Sequence, residues 1–129
     1  MPTVTIEVRR NYSHQEELQI IDAIHAAMMA GIKTPEWDKN IRLIVHEPHR
    51  FTSPPGKSDR YTLVTFDMFS GRSIEAKRAL YTAIVQNLSE VGIPPDDVLI
   101  NLREHPAENW GVRGGKPASE VDLGFKINV

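Results

Sequence analysis

The chain repeats itself, and no other feature of its sequence restricts the fold as much. Val4-Thr5-Ile6-Glu7 is answered by Val64-Thr65-Phe66-Asp67, and Ser13 by Ser73, all at a constant offset of 60. A repeat of this length is one supersecondary unit copied in tandem, so whatever the first copy forms the second should form as well. In each copy an alternating run, Val4/Ile6/Val8 and then Val64/Phe66/Met68, has the period of two expected of a half-buried strand. Ser13 then opens a helix, and Glu16 three residues on completes the S-x-x-E pattern that satisfies free N–H groups at a helix start. Leu18, Ile21, Ile24 and Met28 predict its apolar stripe, with Gly31 as the stop. From Ser73 a second helix carries Leu80, Tyr81, Ile84, Leu88 and Val91, and it ends at Gly92 before Pro94 and Pro95. Second strands follow at Ile41 to His46 and Val98 to Arg103.

The order is therefore β-α-β twice. A strand, crossover helix and returning strand make a right-handed parallel pair. Two such units predict an α/β (α+β) fold: one four-stranded sheet with both helices on one face, and an opposite face that a partner subunit can cover. The expected organisation is a single domain over residues 1–129. It is made of repeats at about 2–47 and 61–105, a turn-rich joint over 48–60 and a C-terminal oligomerisation tail. In that tail the alternating run Leu123 to Val129 reads as an edge strand against another subunit.

Composition narrows the function. With no cysteine, thiolate nucleophiles, disulfides and cysteine-bound metals are excluded. A net charge of −2 argues against a general nucleic-acid binder, which needs a basic stripe to neutralise phosphates. With 40% hydrophobic and 25% charged residues there is no membrane span, and the amino terminus lacks the basic and apolar blocks of a secretory signal, so a cytoplasmic protein is expected. Apart from His25, the histidines His14, His46, His49 and His105 show no metal-ligand spacing, and no metal is expected.

Two residues carry potential chemistry by type and place. Removal of Met1 would turn Pro2 into a secondary amine, and in an apolar pocket desolvation would lower its pKa toward the range where a base or acid works best. The alternative is a proline that merely starts an edge strand. Arg72 stands at the turn from strand to helix beside the Ser73 cap, where a guanidinium near free helix N–H groups can hold a carboxylate through two parallel hydrogen bonds. A solvated surface arginine is the plain alternative.

A doubled β-α-β chain beginning Met-Pro resembles the tautomerase superfamily, of the 4-oxalocrotonate tautomerase-like kind. It is most similar to the fused branch, roughly 130 residues long, that contains malonate semialdehyde decarboxylase. The landmarks are Pro2, Asp22-Ala23-Ile24-His25, Pro35-Glu36-Trp37-Asp38, Gly71-Arg72-Ser73 with Glu75 and Lys77, Pro94-Pro95-Asp96-Asp97-Val98, and Trp110. The resemblance implies a cofactor-independent enzyme, a homotrimer, with an amino-terminal Pro2 as proton shuttle and Arg72 on the carboxylate of a small 2-oxo acid. It implies an assisting role for Asp38, which by position alone also reads as a turn residue like its counterpart Asp97.

His25 matches a substrate-contacting histidine of one dehalogenase branch, or is a partly buried structural histidine. Trp37, Phe51 and Trp110 suit an apolar wall, with Trp110 the preferred pocket residue. The chain departs from the decarboxylase pattern at Ser70, where that pattern has a second arginine, and Arg9 or Arg10 is a candidate substitute. Keto–enol tautomerisation is therefore expected ahead of decarboxylation or haloacrylate dehalogenation. A ferredoxin-like small-molecule binding module, with the same element order, is the alternative of another class.

Overall fold

The computed structural model describes residues 2–125. Eight main elements follow one another along the chain. They are β1 (Thr3–Val8), α1 (His14–Ile32), β2 (Ile41–Val45), β3 (Thr62–Phe69), α2 (Ile74–Glu90), β4 (Val98–His105) and a short hairpin of β5 (Gly111–Val112) and β6 (Lys116–Pro117). The main sheet has the order β2-β1-β3-β4. Within each repeat the two strands are parallel neighbours, and the repeats meet along an antiparallel β1–β3 seam. Thr5 pairs with Thr65 in that seam, so the two copies are related by a pseudo-twofold through residues at equal places in each. Neither β-α-β unit is split by an intervening strand. This separates the fold from the ferredoxin-like arrangement, whose units are split, and overturns the binding-module alternative as an account of the architecture.

The alternation works as read. Val4, Ile6, Val8, Val64, Phe66 and Met68 are at most 1% exposed and join Ile24, Met28, Leu80, Ile84 and Leu88 in one core, which puts both helices on one sheet face. The other face carries Thr3, Thr5, Glu7, Leu63, Thr65 and Asp67, all half-buried. Both helix starts are capped as the serines imply. Ser13 Oγ accepts from the N–H of Glu16 at 3.1 Å while Glu16 Oε1 accepts from that of Ser13 at 3.0 Å. Ser73 Oγ accepts from the N–H of Ala76 at 3.1 Å, without the reciprocal bond, since alanine has no acceptor to return.

Two expectations are corrected, and a third falls mostly outside the described residues. Gly31 does not stop α1, which runs to Ile32 and ends on Lys33 in the left-handed region at φ 59°. Gly31 instead lies where the helices cross, and a Cβ there would stand 2.6 Å from the backbone of Leu80. Leu18 is 50% exposed and outside the apolar stripe, its place taken by Ile20 at 1%. The expected terminal strand is not formed in its described part, residues 123–125, and residues 126–129 of it lie outside the described residues. Leu123 and Phe125 fold back on their own chain, packing with Trp110 and Val121 against Phe69, Val112 and Ala118.

Candidate active site

Strand directions decide which ends of the chain meet. β1 and β2 begin, and β3 and β4 end, at the same edge of the sheet, so the end of α1 and the start of α2 lie there too. This pole gathers Pro2, the loop before β2 with Asp38, the β3–α2 turn with Arg72, and the segment after β4 with Trp110. Pro2 is buried. Asp38 is 7% and Arg72 6% exposed, so neither is the solvated surface charge that composition alone would suggest. The N–H of Asp38 donates to Pro35 O at 3.0 Å, and Val4 donates to Asn40 O at 3.0 Å, which ties the Asp38 loop to the first residues of β1.

Arg72 is reached through Gly71, whose φ of 125° is left to glycine because a Cβ would clash there. Its Nη1 donates to Phe69 O at 3.1 Å and its Nε is buried without an acceptor. Among the described residues no carboxylate stands within 4.0 Å of it. Burial draws the Arg72 guanidinium down from its ordinary value, with the negative charge of Glu104 opposing. Glu104 is itself engaged by Lys77 Nζ at 2.6 Å. Arg72 is thus a desolvated cation whose charge the chain only partly meets.

His25 is 7% exposed on α1, and its Nε2 bonds to Glu36 O at 3.0 Å, leaving Nδ1 buried without a partner. It pins the loop that carries Asp38. Trp110 sits edge-on to Phe69 at 5.3 Å and to His105 at 6.0 Å. The rest of the expected aromatic wall is not assembled. Trp37 is 68% exposed and meets Phe125 at 6.3 Å, and Phe51 packs at the opposite pole on His46 and Tyr61 at 5.4 and 5.6 Å. Arg9 and Arg10, at the end of β1, also belong to that opposite pole, so within one chain neither substitutes for the arginine missing at Ser70.

Beside Pro2 the fold adds groups that the sequence did not disclose. A cavity of about 590 Å³ is lined by Thr3, Asp67, His105, Asn109 and Trp110. Asp67, paired across the seam with Thr3, accepts from Arg103 at 2.8 Å and from His105 at 3.1 Å. Burial raises the Asp67 carboxyl, but the hydrogen bonds and charges of Arg103 and His105 outweigh it and hold the group below its ordinary value. A larger cavity of about 650 Å³, on the outer side of α2 by Tyr81, Val85 and Pro95, is remote from this pole.

The pseudo-twofold supplies an internal control. At the opposite pole His46 bonds to Glu7 at 2.9 Å and meets Phe51 edge-on, repeating the arrangement of His105, Asp67 and Trp110. An acid–histidine–aromatic cluster present at both poles is part of the architecture. What differs is the rest. Thr62 stands in place of Pro2 and Tyr12 in place of Arg72. Asp97, the counterpart of Asp38, accepts from the Ser58 N–H at 3.1 Å and makes a second short bond with the Ser58 hydroxyl. A buried proline just before a strand and an undercompensated buried arginine therefore occur together at one pole only.

Fold and site thus define a fused β-α-β protein with one differentiated pole. Residues 38–113 match the family model of tautomerase enzymes, and the chain belongs to that family. It is 29% identical over 122 residues to the probable tautomerase YusQ of Bacillus subtilis, covering 90% of this chain and 96% of the relative. Among solved structures, it is similar to the FG41 malonate semialdehyde decarboxylase inhibited by 3-bromopropiolate, with a TM-score of 0.84 and 23% identity over 94% of this chain and 98% of that one. A fused 4-OT, a symmetric trimer, aligns with a TM-score of 0.76 and 25% identity over 91% of this chain and 96% of that one. No helix among the described residues is long and apolar enough to cross a membrane.

Proposed function

We propose that this chain is a cofactor-independent enzyme that moves a proton between oxygen and carbon of a small 2-oxo acid, with Pro2 as the proton carrier once Met1 is removed. The observation that carries the reading is the joint burial of Pro2 and Arg72 at one pole, against Thr62 and Tyr12 at its pseudo-symmetric counterpart. A free proline nitrogen has a basic lone pair, whereas the acylated one does not. Arg72, with donors unspent, holds the substrate carboxylate and meets the charge of the enolate as it develops. Asp38 assists by favouring the cationic form of Pro2, against the desolvation that favours the neutral one. His25 keeps the Asp38 loop in place, and Trp110 forms the apolar side of the pocket.

Intact mass and turnover on one preparation test this. Active protein should lack Met1, and Pro2→Ala should lose most phenylpyruvate tautomerisation while keeping its circular dichroism. Full activity in protein that retains Met1 would refute the role of Pro2.

A second reading, decarboxylation of a 3-oxo acid, is favoured by the similarity to the FG41 enzyme. Ser70 stands against it, because the enolate left by decarboxylation needs stronger cationic stabilisation than Arg72 and Pro2 supply. The partnership we propose is a homotrimer, supported by the trimeric fused 4-OT and by a sheet face, opposite the helices, that carries exposed Ile44 and Leu99.

A further inference from the structure

The pole opposite Pro2 has a cavity of its own, of about 480 Å³, lined among others by Arg9, Arg10, Asn11, His46, Glu47 and Asp59. Its elements are the pseudo-twofold equivalents of those around Pro2, so the fold builds a concavity there irrespective of proline chemistry. By the offset of 60, Arg9 and Arg10 occupy the places of Phe69 and Ser70, so two cations stand where the other pole has two neutral side chains. Arg10 is compensated, since Asp59 stands 2.9 Å from its Nη1. His46 is engaged by Glu7. Arg9 is not compensated. Its Nη1 donates to Ser53 Oγ at 2.6 Å, its Nε is buried without an acceptor, and among the described residues no carboxylate lies within 4.0 Å of it. A partly buried cation lacking a counter-ion loses hydration without regaining it from the protein, and a neutral side chain at this place would avoid that loss.

We propose that this second pole is a non-catalytic binding site for a small carboxylate, seated in the cavity against the Arg9 guanidinium. Glu47 and Asp59, which also line the cavity, oppose large anions and confine the site to small carboxylates. The proposal does not rest on proton transfer at Pro2, and the two can fail separately.

The test is a titration of nitrogen-15-labelled protein with malonate, followed by amide shifts at constant ionic strength, with inorganic phosphate and chloride as parallel arms. Amides of residues 10–13 and 46–51 should shift saturably with malonate. The midpoint should rise at least tenfold in Arg9→Gln and stay within twofold in Arg72→Gln, while Arg9→Gln keeps wild-type turnover. Shifts reproduced by chloride, tighter binding of phosphate than of malonate, or an unmoved midpoint in Arg9→Gln would each overturn the assignment. If Arg9→Gln does not fold, Arg9→Lys keeps the charge but loses the planar fork, and its midpoint should rise severalfold. An unmoved midpoint in that variant refutes the site equally.

Discussion

Replacing Arg72 by alanine should separate activity from stability, and the structure says in which direction each moves. In the free protein the side chain makes one bond, from Nη1 to Phe69 O, and leaves Nε buried without an acceptor. Removing it forfeits a hydrogen bond of about 0.5–1.5 kcal/mol, but also removes a desolvated cation whose burial opposes folding. The two effects have opposite signs, so the unfolding free energy should change by no more than about 1 kcal/mol. Catalysis has no such compensation. A charge-assisted pair to the substrate carboxylate contributes about 1.5–3 kcal/mol, and at 1.36 kcal/mol per decade kcat/KM should fall about ten- to a hundredfold. The assay is loss of enol absorbance with phenylpyruvate, paired with urea unfolding of the same preparation. A kcat/KM within twofold of wild type would refute the carboxylate role, and a loss of stability beyond about 2 kcal/mol would show Arg72 to be structural.

Other substitutions follow from the same geometry. Gly31→Ala should destabilise by about 1–3 kcal/mol in urea unfolding, because the new methyl meets the Leu80 backbone at 2.6 Å and one helix must move. Asp67 titrates below its ordinary 3.8 in the folded state, so its contribution is complete above that value and is lost as the pH falls through the lower folded one. Wild type should therefore lose more stability than Asp67→Asn on acidification below about pH 4, as read by thermal melting. Ser70→Arg should raise carbon dioxide release from malonate semialdehyde relative to phenylpyruvate tautomerisation, whereas wild type should favour tautomerisation. Decarboxylation more than tenfold faster in wild type, a difference of about 1.4 kcal/mol, would reverse that ranking. Light scattering at micromolar concentration should give three times the 14.6 kDa chain mass, and a monomer would contradict the proposed trimer.

The parts of this molecule that a linear reading discloses are those set by short-range pattern. The period-two runs, the capping serines and the offset of 60 determine strands, helix starts and the repeat, and through strand direction they also bring Pro2, Asp38 and Arg72 to one edge. Contacts set by register were not visible. Asp67 and His105 are 38 positions apart and meet only because β3 and β4 run in parallel at one offset, and nothing in either residue's neighbourhood announces the pairing. Phe51 failed as a pocket residue for the same reason. It is the pseudo-symmetric mate of Trp110, so the duplication that reveals the fold also carries it to the wrong pole. Gly31 was misread because glycine serves both helix ends and close crossings, and only the neighbouring helix tells which.

That duplication also explains how one end of the molecule can specialise. If two β-α-β units were separate identical chains, the acid, the histidine, the aromatic and any group at the strand start would be forced to be the same at both poles. Joining them in one chain removes that constraint, because only the first unit has a residue that processing can convert to a free amine. Thr62, inside the chain, always has an acylated nitrogen and cannot act as a base whatever its surroundings. On the proposed function, selection for proton transfer acts on Pro2, Arg72 and Asp38 alone, while the equivalent places hold Thr62, Tyr12 and an Asp97 bonded to Ser58. Placing arginine at Tyr12 should accordingly confer no second activity, since that pole would still lack the amine. Tyr12→Arg in a Pro2→Ala background should remain as inactive toward phenylpyruvate as Pro2→Ala itself. Recovery of turnover there would mean that an arginine pocket suffices without the proline, and the assignment of proton transfer to Pro2 would have to be abandoned.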